Sequence, residues 1–257
     1  VIGCPGQVPV YDRVVSTIAK DLAGAVRRGE IAAWFQPQFD VRDGRMVAAE
    51  ALCRWVHPVR GQVSPADFIP AAEESGLIEE IGVFMARQSC LAIERWRIDI
   101  SVNVSPLQLE TAAFTNWLEH QLRGVSTGNS SLTIEITEEQ PLRNVAAVVR
   151  RLDRLRSLGV GLAIDDFGAG QSSLKQLRRL HATELKIDRS LVVDENAAGL
   201  ITQAVDAART SGVRTVAEGI ETHEQLDRIT RLGFDRAQGF LLGRPMPPDA
   251  MDQLVAA

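Results

Sequence analysis

Apolar positions along this chain follow two rhythms that take turns. Residues 12–29 carry them at helical spacing and stop at Gly29, a helix that ends on a C-terminal signal. Residues 31–41 (IAAWFQPQFDV) and 46–55 (MVAAEALCRW) are continuous apolar runs joined by Arg42-Asp43-Gly44-Arg45. Asp-Gly between two such runs predicts a hairpin, and a turn this short joins only antiparallel strands. A proline-punctuated loop is expected over residues 57–70, then a helix near 76–97 and a strand at Asp99–Ser105. Next come a helix near 107–123, the strand LTIEIT, and a helix near 142–158. An apolar strand ending in Asp165-Asp166 follows, then a short helix near 171–180 and the strand ELKID. A helix near 197–211, the strand RTVAEGI, a helix near 222–232, the strand AQGF and a last short helix complete the series.

Strand–helix alternation of this kind predicts a parallel sheet. About eight strands in 257 residues fit a closed TIM-like (β/α)8 barrel, an α/β fold, with its first strand antiparallel to the others. No linker or repeat divides the chain, which reads as one domain over 1–257: a lead-in and helix over 1–30, then the barrel over 31–257.

Composition narrows the function classes. The chain is 45% hydrophobic and 24% charged, an ordinary globular balance, and carries a net charge of −5. That sign disfavours a polymeric nucleic acid as partner and leaves room for one small anionic ligand held through metal. The stretch Arg150–Arg156 (RRLDRLR) reads as a solvated helix face, with Leu152 and Leu155 turned inward, rather than a nucleic-acid patch. Cys4, Cys53 and Cys90 are an unclustered, odd set and read as reduced thiols, which suggests the cytoplasm. No apolar run reaches membrane-spanning length, and the first residues lack the features of a secretion signal. The absence of an initiating Met suggests an excised domain whose full-length parent carries other domains, a membrane anchor among the options.

In such a barrel the chemistry collects at the C-terminal ends of the strands. Those ends read Glu50, Asn103, Glu135, Asp165 with Asp166, Lys186 with Asp188, Glu218 and Gln238. Each has a plain alternative: Asp166 as a helix cap, Lys186 as a salt bridge to Asp188, a single Glu as a hydrogen-bonded core polar. Five carboxylates in one mouth, Asp188 apart, are harder to explain so, because they cannot all ionise without cations. The donors are oxygens and none of the four histidines has partner spacing, so Mg²⁺ or Mn²⁺ is favoured over Zn²⁺. More carboxylates than one ion needs suggest a two-metal site of the kind used for displacement at phosphorus, with Lys186 as an additional cation.

Glu50-Ala51-Leu52 followed by Arg54-Trp55 resembles the signature of the EAL domain family, and the resemblance extends from about Leu22 to the end of the chain. It includes Gln36-Pro37, His57-Pro58, Phe68-Ile69-Pro70, Gly76-Leu77-Ile78, Val102-Asn103-Val104-Ser105 and Glu135-Ile136-Thr137-Glu138. It continues through Asp165-Asp166-Phe167-Gly168, Leu185-Lys186-Ile187-Asp188, Ala217-Glu218-Gly219-Ile220-Glu221 and Gln238-Gly239-Phe240. The family consists of bacterial phosphodiesterases that cut cyclic di-GMP to linear pGpG. The resemblance implies that Glu50, Asn103, Glu135 and Asp165 bind one ion, that Asp165 and Asp166 bind a second, and that Glu218 supports it. It implies Lys186, Glu218 and Glu50 as catalytic residues, Lys186 holding the attacking water. Gln36, Leu52, Arg54 and Gln238 are implied as substrate-binding residues, and Glu138 as the group that steadies the loop after the paired Asp. It also implies a homodimer and further sensory or regulatory domains. One departure stands out: the loop usually reads FGTGYSSL and here reads FGAGQSSL, with Ala169 and Gln171. The alternative to an active enzyme is a weak or inactive cyclic di-GMP receptor.

Overall fold

The computed structural model describes residues 17–125, 127–137, 142–168 and 175–256. A first helix, α1, is described over 17–22 and leads into the predicted hairpin, β1 (Ile31–Asp40) and β2 (Met46–His57). Their antiparallel register sets Gln36 opposite Glu50, so both side chains share one face of the sheet. The two elements are also tied at the far end of β2: Trp55 Nε1 donates to Glu30 at 3.2 Å, and Arg60 donates to Asp21 of α1 at 2.7 Å.

Residues 57–70 depart from the loop expected of them. They form a short strand, β3 (Gly61–Val63), and the start of helix α2 (Pro65–Ser75). The reason is local. The Ser64 side chain accepts from Ala66 N, Pro65 occupies the first turn where its missing N–H costs nothing, and Gly76 ends the helix in the left-handed region. Pro70 lies farther in and leaves one backbone bond unmade without ending the helix.

The remaining elements alternate as expected: α3 (Ile78–Trp96), β4 (Asp99–Asn103), α4 (Pro106–Glu110), α5 (Ala112–Leu122) and β5 (Leu132–Thr137). They continue with α6 (Val145–Arg156), β6 (Gly161–Phe167), α7 (Lys175–Arg179), β7 (Glu184–Ile187), α8 (Arg189–Val193) and α9 (Ala198–Thr210). The series closes with β8 (Arg214–Ala217), α10 (His223–Leu232), β9 (Arg236–Ala237) and α11 (Pro248–Val255). The single helix expected near 107–123 is two, broken where Thr111 is extended. Helix α8 has no counterpart in the sequence reading; Asp188 caps it by accepting from Ser190 N at 2.8 Å.

The sheet runs β1-β9-β8-β7-β6-β5-β4-β2-β3 and closes through β1–β2. Strand β1 is antiparallel to both of its ring neighbours, while β2 and β4 through β9 run parallel, so the predicted barrel and its reversed strand are both present. Ile100, Ile134 and Leu185 are fully buried on the strands, as are Phe68, Phe114 and Ile201 on the helices. At the amino-terminal end Arg236 of β9 reaches Asp99 of β4 at 2.7 Å, and Arg214 pairs with Glu184 at 3.1 Å. On α6, Leu152 and Leu155 are buried and Arg154 meets Glu119 at 2.8 Å, the solvated face read from RRLDRLR.

Gly239 is required where two loops meet at the opposite end. A Cβ there would lie 2.1 Å from the Ile220 carbonyl oxygen and 2.2 Å from its nitrogen, both backbone atoms that cannot rotate away. The same approach lets Ile220 N donate to Gln238 O at 3.0 Å and so fixes Gln238. Gly239→Ala is expected to lower stability by about 1–3 kcal/mol, read as a fall in the urea midpoint with an unchanged slope.

Candidate active site

Lys186 stands at the centre of the barrel mouth, on β7 and only 1% exposed. Its Nζ lies 2.7 Å from Glu218 Oε1, 2.9 Å from Glu135 Oε2, 3.2 Å from Asp165 Oδ1 and 3.4 Å from Glu50 Oε2. Strands β2, β5 and β6 and the residue that follows β8 therefore point one acid each at one ammonium, as expected where side chains alternate along strands and every second one faces the barrel axis. Asp188 is not among these partners, so the plain Lys186–Asp188 pair is replaced by a larger network.

Asp166 reaches the same mouth by a different device. Adjacent strand residues face opposite ways, but the β6–β7 pairing shifts register between Ile164 and Phe167, and Asp166 has φ +57°. The bulge with a left-handed residue re-aims the side chain, at a cost in backbone strain that a functional site is well placed to retain. Two carboxylate triads result, Glu50–Glu135–Asp165 and Asp165–Asp166–Glu218, each with ligand oxygens within 4.8 Å of one another and both sharing Asp165.

A line of amides orients the first triad. Asn103 Nδ2 donates to Glu50 Oε1 at 2.8 Å, and Gln238 Nε2 donates to Glu50 Oε2 at 2.7 Å and to Gln36 Oε1 at 3.0 Å. Gln36 Nε2 is held by Gly243 O at 3.0 Å, and Gln38 Nε2 donates to Gln238 Oε1 at 2.8 Å. Gln38 is absent from the sequence reading. Its signal was there: a second glutamine two residues after Gln36 on a strand faces the same way.

Electrostatics follow from this crowding. Burial works against a charged Lys186, but Asp165, Glu135, Glu218 and Glu50 together hold its pKa well above the ordinary lysine value. Burial likewise pushes Glu50 up, yet Lys186, Gln238 and Asn103 outweigh it and hold the carboxyl below its ordinary value. Glu135 is raised well above its ordinary value by burial and by the Glu50 charge. Asp165 is raised, chiefly by burial. Burial, then Asp165, brings Asp166 to about 6, and burial takes Glu218 to about 8. One ammonium cannot balance five acids, so protons remain on some of them near neutral pH.

These residues fit divalent cations. Every donor is a hard oxygen, and the buried Glu135 Oε1 has no hydrogen-bond partner among the described residues. Two cavities flank the carboxylates. One of about 320 Å³ is lined by Leu52, Arg54, Asn103 and Glu135; the other, about 250 Å³, by Gln36, Glu50, Glu218 and Gln238. Arg54 is steadied by its own strand, donating to Cys53 O at 3.0 Å, with its guanidinium 5.8 Å from the Trp34 ring centre. The structure thus brings Glu50, Asn103, Glu135, Asp165, Asp166, Lys186, Glu218, Gln36 and Gln238 together, with Leu52 and Arg54 on the rim. Glu138, Ala169 and Gln171 lie outside the described residues.

Cation binding needs the carboxylates ionised, so affinity is expected to rise with pH as Glu218 loses its proton. Isothermal titration should show divalent-cation affinity at least about tenfold tighter at pH 8.5 than at pH 6. The folded pKa of Glu218, about 8, exceeds the unfolded value. Its contribution to metal-free stability is therefore fully present below the unfolded pKa and lost as pH rises through about 8. The thermal shift on adding cation should grow across that window. Lys186→Met leaves the acids uncompensated and should cost about 3–5 kcal/mol of metal-free stability in urea, part of it restored by cation.

With this geometry in place, comparison with known proteins is direct. The family model for the EAL domain matches residues 19–245. MucR of Pseudomonas aeruginosa, a bifunctional diguanylate cyclase/cyclic di-GMP phosphodiesterase, is 39% identical over 246 residues, 92% of this chain and 36% of that protein. RocR of the same organism, a cyclic di-GMP phosphodiesterase, is 34% identical over 252 residues, 95% of this chain and 64% of that protein. The chain spans about a third of the length of the first curated relatives it matches. Among solved structures, the PaMucR phosphodiesterase in complex with c-di-GMP superposes with a TM-score of 0.83 at 37% identity, covering 91% of this chain and 99% of that one. The EAL enzyme Bd1971, in its form bound to cAMP and cyclic di-GMP, superposes at 0.87 with 26% identity, covering 96% and 70%. This chain belongs to the EAL domain family.

Proposed function

We propose that this chain is a cyclic di-GMP phosphodiesterase that opens the cyclic dinucleotide to linear pGpG with the help of two Mg²⁺ or Mn²⁺ ions. The observation that carries the reading is the pair of carboxylate triads sharing Asp165 around one buried lysine, with a cavity on either side. Two sites joined by a common ligand suit in-line displacement at phosphorus.

In this reading Glu50, Asn103, Glu135 and Asp165 hold one ion, and Asp165 and Asp166, supported by Glu218, hold the other. When bound, the ions supply Lewis-acid charge that offsets negative charge growing on the phosphate oxygens. Lys186 Nζ donates to the attacking water and holds it in line, the neighbouring Glu218 carboxylate accepts the proton that water gives up, and the phosphorus–O3′ bond breaks as the 3′ oxygen leaves and takes a proton from solvent. Arg54 meets a phosphate oxygen through its fork of donors, and Gln36 and Leu52 hold the remainder of the substrate. Gln238 acts through Glu50, whose oxygens it and Asn103 keep turned toward the centre.

The relatives are multidomain signalling proteins, and we place this chain as the catalytic unit of one, acting in the cytoplasm as a homodimer. No helix among the described residues is long and apolar enough to cross a membrane, and Cys53 and Cys90 are free thiols.

Incubation with cyclic di-GMP and Mg²⁺ or Mn²⁺, followed by chromatography, is expected to give pGpG that EDTA suppresses and Glu50→Ala abolishes. Lys186→Met, which removes the group that holds the water, should lower kcat by about 10²-fold or more. Nucleotide binding that persists in EDTA with no turnover under any metal would make the chain a receptor and sink the catalytic reading.

A further inference from the structure

The two carboxylate triads are set by different parts of the chain. In the first, the amides of Asn103 and Gln238 turn Glu50. The second is completed by Asp166, at the end of β6, and by Glu218, one residue beyond β8. Strand β7 lies between those two strands in the sheet, and the short helix α8 rises from it into the gap.

The start of α8 is laced to both neighbours. Asp188 N donates to Phe167 O at 3.1 Å, and Glu218 N donates to Ile187 O at 3.1 Å. The side chains of α8 then press on the backbone behind each ligand. A Cβ on Gly168 would lie 2.1 Å from Leu191 Cδ1 and 2.4 Å from its Cγ. A Cβ on Gly219 would lie 2.5 Å from Arg189 Cβ and 2.6 Å from its Cγ. Leu191 therefore rests on the chain two residues past Asp166, and the stem of Arg189 rests on it one residue past Glu218. Neither side chain is loose. Leu191 is partly buried against the core, and the Arg189 fork is anchored to both carboxylate oxygens of Glu221, at 2.7 and 2.8 Å. Asp166 itself sits at φ +57°, and a non-glycine residue persists there only where its surroundings over-determine it. Helix α8 supplies that constraint.

We propose that α8 is a wedge that makes the second cation site. Leu191 and Arg189 are its positioning residues and hold Asp166 and Glu218 toward Asp165, while the first site is set independently of them. The proposal rests on the two-ion reading above and adds to it the groups that decide whether the second ion is held. Residues that support metal ligands from behind change affinity by about 10–100-fold when altered.

Leu191→Ala removes the bulk against Gly168, and Leu191→Met keeps most of it. Mn²⁺ binding to each is followed by titration calorimetry and by electron paramagnetic resonance, in which two ions sharing Asp165 give a spin-coupled signal distinct from that of one. In Leu191→Ala the first ion is expected to bind within about threefold of the original and the second at least about tenfold more weakly. The coupled signal should give way to that of a single ion, and Leu191→Met should restore it. Arg189→Ala, which removes the stem beyond Cβ and the anchor to Glu221, should act in the same direction and decides the matter if Leu191→Ala does not fold. Equal weakening of both ions, or a second ion held within about twofold of the original, overturns the proposal. Crystal structures of metal-free wild type and variant separate it from the reading beneath it. If the wild type holds fewer than two ions yet the variant turns the Asp166 carboxylate out of the mouth, the two-ion reading falls and the wedge stands. Two ions in the wild type with Asp166 unmoved in the variant would do the reverse. Fewer than two ions and an unmoved Asp166 would end both.

Discussion

The Lys186 ammonium, sealed among four carboxylates, is the contact on which the open end of this barrel depends. Like charges at these separations repel strongly when water is excluded, and the strands that carry them are pinned by their own hydrogen-bond ladders. The protein resolves the conflict with one cation, retained protons and a set of amides, Asn103 and Gln238 foremost, that donate to Glu50. The arrangement is under-neutralised, which suits it to hold cations. A mouth with surplus negative charge takes up divalent cations, whereas one balanced by its own side chains would have no reason to.

Rigidity for this arrangement comes from below and beside it. At the amino-terminal end Arg236 and Asp99 join β9 to β4 across the barrel. Beside the mouth, Gly239 lets the segments after β8 and β9 close to backbone contact, which delivers Gln238 to Glu50. The carboxylates are thus fixed by elements whose residues never touch them, and repulsion among the acids is borne by the whole ring of strands.

Much of this was legible in the chain itself. The alternation of apolar runs gave the barrel, and the short turn at Asp43-Gly44 gave the reversal of β1, because both signals are local. Polar residues at the ends of apolar strands exposed the site for the same reason: Glu135 or Lys186 on a buried strand is conspicuous. The failures are also local in origin. Residues 57–70 read as loop when prolines count only as breakers, although Ser64-Pro65 also spells a helix start. Gln38 gives a weak signal because a glutamine in a strand carries no charge. The contact between Gln108 and Gly82 belongs to another class, because only the packing of α3 on α4 brings the two together and no spacing rule relates them.

The reversed first strand has a consequence for how such a barrel is wired. In an all-parallel barrel the chain enters at the closed end, as far from the chemistry as the fold allows. Here β1 begins beside the finish of β2, with Ile31 opposite Trp55, so the chain enters the barrel at the rim that carries the carboxylates. Helix α1 is fastened there through Asp21 to Arg60, and Glu30 to Trp55, one residue from Arg54. The lead-in is thereby tied to the strand that bears Glu50 and Arg54. One inverted strand thus brings the amino-terminal approach to the end of the barrel that carries the carboxylates.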